Sequence, residues 1–405
     1  MRCILFDVSK TFTGPMRLDM RLLSWMPASM AALLFAAAPS PAFGQAPADS
    51  GAFVSRLGHD TLTVERYVWS PGRLEATALF RSPETRMARL TLRLAEDGRA
   101  EQAEVVVHGM GASDALAPLL QRTVYVFEGD SATVTTTRGD STQTRRIAAH
   151  PEIVPVLNPF YAPYELIFRR ARATRADSVA VPVLFGGNLS TFVARRTAAD
   201  SMVIRDEIFG SRPARVDRTG RLHSFQAVGS PYGTIVERVP WLDLEALAAR
   251  YAASGLGSLS PRDTVRAAVG GARLHVDYSR PSKRGRQVFG GLVPWDEVWR
   301  TGANRATHLT TDRALRVGDV TIPAGTYTLF TIPSRAGWTL IVNRQTGQGG
   351  LDYDASQDLA RVPMRVETLP EVVERFTIAI EPEGAGGVLS LVWDRTAASL
   401  GFRVP

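Results

Sequence analysis

Five residues with binding chemistry fall between positions 284 and 308: Arg284 and Arg286 in a glycine-containing stretch, then Arg300, Asn304 and His308. Each guanidinium presents a planar fork of N–H donors that matches a carboxylate or phosphate. The amide and the imidazole add directional partners, and Tyr278 lies a few residues upstream. The expected chemistry is a cationic, amide-bearing pocket for a small polar, anionic or glycan ligand. The competing expectation is that Arg300 and Asn304 bond to loop backbone and hold a turn together.

Other chemistries have less to stand on. His275 and Asp277 share a strand face that His308 could approach, yet the six histidines are scattered and no His-x-His or His-Glu-x-x-His pair occurs. No metal and no cofactor is expected. There is no Gly-x-Ser-x-Gly elbow for a nucleophilic serine. Asp296, Glu297 and Asp312 are the carboxylates left for hydrolytic acid/base work, which leaves no local signature. The one cysteine is Cys3, so a processed chain has neither thiol chemistry nor a disulfide.

These residues need elements to position them. From Phe53 to about Trp241 apolar residues alternate with polar ones between short turns. Leu90, Leu92 and Leu94 lead through Asp97-Gly98 into Ala103–His108, and the Glu128-Gly129-Asp130 and Arg138-Gly139-Asp140 turns separate three more strands. An antiparallel meander, with the pattern of a half-barrel sheet, is expected there. One short helix is expected near Tyr164–Arg170. Asp243 reads as the N-cap of a second helix, Leu244–Ala253, ended by Gly255. The Gly/Ser/Pro stretch that follows divides the chain into an N-terminal β domain, 45–258, and a C-terminal β-sandwich, 259–405.

Within the second part, strands are expected at Leu274–Tyr278, Val320–Ile322, Thr326–Ile332 and Trp338–Asn343, with a closing pair at Phe376–Ile380 and Val388–Asp394. Pro294 opens an expected helical turn, Trp295–Trp299, that sets Trp295, Val298 and Trp299 on one face as a plug. Trp338 and Trp393 are expected in the core. The fold class is therefore mostly β throughout.

Residues 1–44 have the form of an export signal: Arg17 and Arg21, the apolar run MAALLFAAA, then small residues before Gln45. Translation could start at Met1, Met16 or Met20. The apolar run is too short to span a bilayer, so an exported, periplasmic or secreted protein with no transmembrane segment is expected. The formal charge is +7 over 405 residues, and its arginines alternate with Asp, Glu and Thr rather than cluster. That pattern argues against a nucleic-acid partner.

The blocks RPSKRGRQVFGGLVPWDEVWRTGAN (Arg280–Asn304), PAGTYTLFTIP (Pro323–Pro333) and WTLIVNRQTGQ (Trp338–Gln348) resemble, in that order, a bacterial domain family of unknown function. The resemblance covers roughly residues 270–400. It implies a fold and brings no activity. Arg305 stands where that family usually has an acidic residue, and Gly349 where it usually has an aromatic one. The expectation is an exported, non-catalytic binding or scaffold protein with a ligand at the loop end of its sandwich. The alternatives are a periplasmic hydrolase using the carboxylates above, and a module that meets an envelope protein partner through the N-terminal sheet.

Overall fold

The computed structural model describes residues 49–110, 118–206, 210–226 and 233–405. The expected export signal lies outside them. Eight strands come first: β1 (Ser50–Leu57), β2 (Asp60–Ser70), β3 (Arg73–Phe80), β4 (Arg86–Leu94), β5 (Ala100–His108), β6 (Leu119–Glu128), β7 (Ser131–Arg138) and β8 (Ser141–Ala148). Then follow β9 (Val154–Val156), α1 (Tyr164–Ala173), β10 (Ser178–Phe185), β11 (Asn188–Ala198), β12 (Ser201–Asp206), β13 (Gly210–Val216), β14 (Leu222–Gln226), β15 (Thr234–Val239) and α2 (Leu244–Tyr251).

β15 pairs with β1, which joins two runs into one fifteen-stranded sheet, β8 to β1 and then β15 to β9. Among the described strands of this sheet only the β9–β10 pair is parallel. The alternation anticipated in the sequence puts Leu74, Leu90, Leu92 and Phe192 on one face, in a single core with the helix α1. Ala76, Ala78, Ala88, Ala103 and Ala132 lie on that same face and are almost fully buried. Small side chains there leave the width a helix needs. The far ends of the sheet also approach one another, since Arg145 of β8 donates to the carbonyl of Gly187 in the β10–β11 turn. The sheet is thus a curled half-barrel wrapped around its own helix.

Two carboxyl groups anchor α1 inside. Glu65 of β2 accepts from the backbone N–H groups of Tyr161 (2.6 Å) and Ala162 (3.1 Å), in the turn that launches the helix. Glu165 of the helix accepts from Tyr67 Oη, Trp69 Nε1 and Leu222 N, and pairs with Arg238 and Arg169. Both carboxyls are fully buried. Burial pushes the Glu65 carboxyl up to about 8, against the opposing pull of its two backbone donors.

α2 lies on the opposite face, where Leu244 and Ala248 pack on Val54, Val64 and Leu79. Asp243 caps it by accepting from Ala246 N at 2.9 Å. The helix stops at Tyr251, short of the expected Ala253. Gly255 packs instead against the backbone of Pro83 and Glu84, where a Cβ would come within 2.7 Å.

The second sheet system comprises β16 (Arg262–Val269), β17 (Ala272–Ser279), β18 (Thr307–Thr311), β19 (Leu315–Val317), β20 (Val320–Ile322), β21 (Gly325–Ile332), β22 (Trp338–Asn343), β23 (Asp358–Glu383) and β24 (Gly386–Arg403). Their order is β16-β17-β18-β21-β22-β23-β24-β19-β20. β23 has 26 residues and belongs to both leaves of a sandwich, its register with β24 shifting at Thr368–Thr377 where it bends from one to the other. Of these two long strands the sequence predicts only Phe376–Ile380 and Val388–Asp394, the parts that flank their connecting turn. Trp338 and Trp393 are core residues, as expected. A void of about 20 Å³ between the leaves, lined by Leu274, Leu309 and Leu340 among others, is too small for any ligand.

Candidate functional site

The six candidate side chains separate into two groups. Tyr278 points into the core, edge-on to Phe376, and its hydroxyl accepts from Ile378 N at 3.1 Å. Arg284 and Arg286 face the other sheet. The Arg284 guanidinium pairs with Asp60 at the β1–β2 turn, while its carbonyl accepts from His59 N and its own N–H donates to Glu374. Arg286 donates to the carbonyls of Lys283 (3.0 Å) and Ser282 (2.6 Å). Burial, with Arg284 beside it, brings its pKa down to about 10. These three residues hold structure together; Tyr278 and Arg284 do so through partners far away in the chain, and Arg286 through carbonyls three and four residues back.

Arg300, Asn304 and His308 do converge, on a segment the sequence had not marked as their partner. Residues 344–357 form a strap over the outer face of β21 and β22. That face carries a continuous row of register partners across six strands: Thr264, Asp277, His308, Thr328, Asn343 and Asp358. Thr328 and Asn343 are completely buried beneath the strap. Thr328 donates to Gln345 O, and Asn343 donates to Asp354 O and Asp358. Tyr353 stacks edge-on to Phe330 and donates to Asp358. The strap is therefore bonded down over half of the row, reaches His308 only through Gly347 N, and among the described residues makes no hydrogen bond to Asp277 or Thr264.

Its edge runs along residues 300–308. Arg305 and Gly349 form an isolated antiparallel bridge, so the two positions that depart from the resembled family face one another. Gly347 N donates to His308 Nε2 at 3.4 Å. At Gly350 a Cβ would stand 2.4 Å from Asn304 O and 2.7 Å from Arg300 Cδ, so only glycine permits this approach. Leu351, at the end of the glycines, is 58% exposed.

The backbone here is held in unusual conformations. Among the described residues five non-glycines have positive φ: Arg284, Asp296, Thr301, Asn304 and Asp394. Thr301 is the most costly, being β-branched at φ 50°. It is buried, with Oγ1 bonded to Thr331 Oγ1 at 2.8 Å and Thr307 Oγ1 donating to its carbonyl. Asp296 at φ 63° also overturns the expected helical turn. Trp299 packs in the core, but Val298 is 39% exposed and Trp295 lies nearer the surface beneath Arg335.

His308 is half-buried. Its pKa is lowered by burial and by the positive charges of Arg262 and Arg305, with Asp277 acting in the opposite direction. Asp277 is already clamped by Arg262 through two contacts. Asp312 is likewise engaged, by Arg273. Among the described residues no group of three or more His, Cys, Asp or Glu is placed to hold a metal ion. None of the described helices is long and apolar enough to cross a membrane.

Residues 260–402 match the family model for a protein of unknown function, DUF2911. The C-terminal sandwich is accordingly a domain of unknown function. No curated protein matches the chain. Among solved structures, a DUF1089 family protein from Pseudomonas aeruginosa aligns over 40% of this chain and 88% of its own, at 12% identity and TM-score 0.29. A β-barrel-like protein of the DUF1849 domain from Brucella abortus aligns over 47% and 94%, at 10% identity and TM-score 0.30. Similarities this low carry no functional argument.

Proposed function

We propose that this is an exported, non-catalytic binding or scaffold protein whose C-terminal sandwich holds a small polar, anionic or glycan ligand. The ligand sits along the strap edge, where Arg300, Asn304 and His308 meet Gly347–Leu351. One observation carries this reading: Arg300 through its stem, Asn304 through its carbonyl and His308 through its ring meet one glycine-rich edge, next to a polar row on a rigid sheet. Side chains from a loop and a strand held this way recognise ligands with little ordering on binding. Tyr278, Arg284 and Arg286 are outside this ligand set, because their polar groups serve the core and the contact between the sheets.

A thermal-shift screen of the exported form against sugars, phosphates and carboxylates tests the proposal. A ligand at a hundredfold excess over its dissociation constant stabilises by about 2.7 kcal/mol. The expected result is a rise in Tm with one ligand class that Arg300→Ala abolishes while the fold persists by circular dichroism. A panel with no hit, or a hit indifferent to Arg300, would remove the site.

A further inference from the structure

The half of the polar row from His308 to Thr264 has an uneven balance of charge. The groups that bear on His308 are Arg262, Arg305 and Asp277. Arg262 and Asp277 neutralise one another in a bidentate contact, and Arg262 is further fixed by Ser279 Oγ and Ala306 O. That leaves the positive charge of Arg305, which is exposed at the bridge to Gly349. Arg300 adds a second charge, its stem lying against Gly350. The strap brings one carboxylate to this edge, Asp352, which accepts from Gly349 N, while Asp354 accepts from Ser356 N; two guanidiniums, Arg300 and Arg305, are thus set against one carboxylate. Asp358 is engaged by Tyr353 and Arg361 on the covered side.

His308 adds a second feature. Its Nε2 accepts from Gly347 N, which places the ring proton of the neutral imidazole on Nδ1, away from the strap. A neutral donor thus sits beside a guanidinium on a surface whose hydroxyls, Thr310 and Thr326, are bonded to each other. Such an arrangement is complementary to an acceptor-only group bearing negative charge, and poorly matched to a neutral polyol, which needs acceptors as well as donors.

Resting on the binding reading above, we infer that the ligand is an anion, bound through a carboxylate or phosphate group at the strap edge, with Arg305 as its charge-bearing contact and His308 as a neutral donor. Arg305 then determines specificity: an acidic residue at this position would repel the same group.

The test uses the full exported chain, with inorganic phosphate, glucuronate and neutral glucose as probes, each at about 100 mM ionic strength held constant with NaCl. Phosphate or glucuronate is expected to raise Tm by roughly 2 °C or more, less so as NaCl increases. Glucose is expected to leave Tm unchanged. Arg305→Glu should abolish the anion shift with its own unliganded Tm nearly unaltered, since the side chain is exposed; Arg305→Lys should retain part of it. A shift with phosphate but not glucuronate assigns a phosphate ligand, and the converse a carboxylate. A glucose shift that survives Arg305→Glu would overturn the anion inference and leave the binding site standing. An anion shift undiminished in Arg305→Glu would show general salt stabilisation and overturn it too, and silence from all three probes would remove the site along with it.

Discussion

Between its ordinary carboxyl value of 4.5 and about 8, Glu65 keeps a proton in the folded chain that the unfolded chain gives up. The sign follows from linkage: the folded state binds more protons across that window, so stability falls as pH rises. This contribution is fully present below 4.5 and lost as the pH climbs through about 8. The limiting slope is about 1.4 kcal/mol per pH unit. Wild-type Tm should therefore decline between pH 5 and about pH 8 and level off above it. Glu65→Gln, which gives up one of the two backbone hydrogen bonds, should start lower at pH 5 and lose that decline. Parallel Tm–pH curves for the two proteins would refute the assignment. Nothing local marks Glu65 in the sequence, where it reads as a polar position of an alternating strand. Its environment is made by Tyr161 and Ala162, nearly a hundred residues away. Arg284 and Arg286 were chosen for the right chemistry, but the partners that engage them, Asp60 and two nearby carbonyls, are set by how the chain folds back.

The two helices differ in how their ends are satisfied. α2 has a local cap, legible because the Asp243 side chain reaches a backbone N–H three residues on. Asp243→Ala should destabilise by about 1 kcal/mol in urea unfolding, with an unchanged m-value. An effect within error would mean that α2 is held by Leu244 and Ala248 alone. α1 has no side-chain cap of its own, and its launching turn is held by Glu65 from across the barrel. The alternation that revealed β4 to β8 is a local consequence of period-two burial, so those strands and their turns could be read directly. β23 could not, because its bend and its three prolines, Pro363, Pro370 and Pro382, break the local period-two pattern. The expected turn at Trp295–Trp299 failed for a related reason: Asp296 takes a left-handed conformation, and Asp296 N donates to Pro333 O, a contact remote in sequence.

At the scale of the molecule, the β1–β2 turn is one place where the two sheets meet. Gly58 has φ 63°, and a Cβ there would sit 1.7 Å from Arg284 O. Gly58→Ala should therefore force this contact apart and weaken the Asp60–Arg284 pair. In calorimetry, a variant whose sheets are uncoupled should unfold in two transitions where the wild type shows one; a single transition in Gly58→Ala would mean that other contacts do the coupling. The sequence by itself determined a mostly β chain with an antiparallel meander, a buried pair of tryptophans and the residues capable of binding chemistry. Those features follow from side-chain period, turn chemistry and functional-group type, all readable within a few residues. The tertiary structure decided which groups each arginine meets. A guanidinium's role depends on the groups it meets across the fold, so the same side chain becomes a clamp at Arg284 and a candidate ligand contact at the edge of the strap.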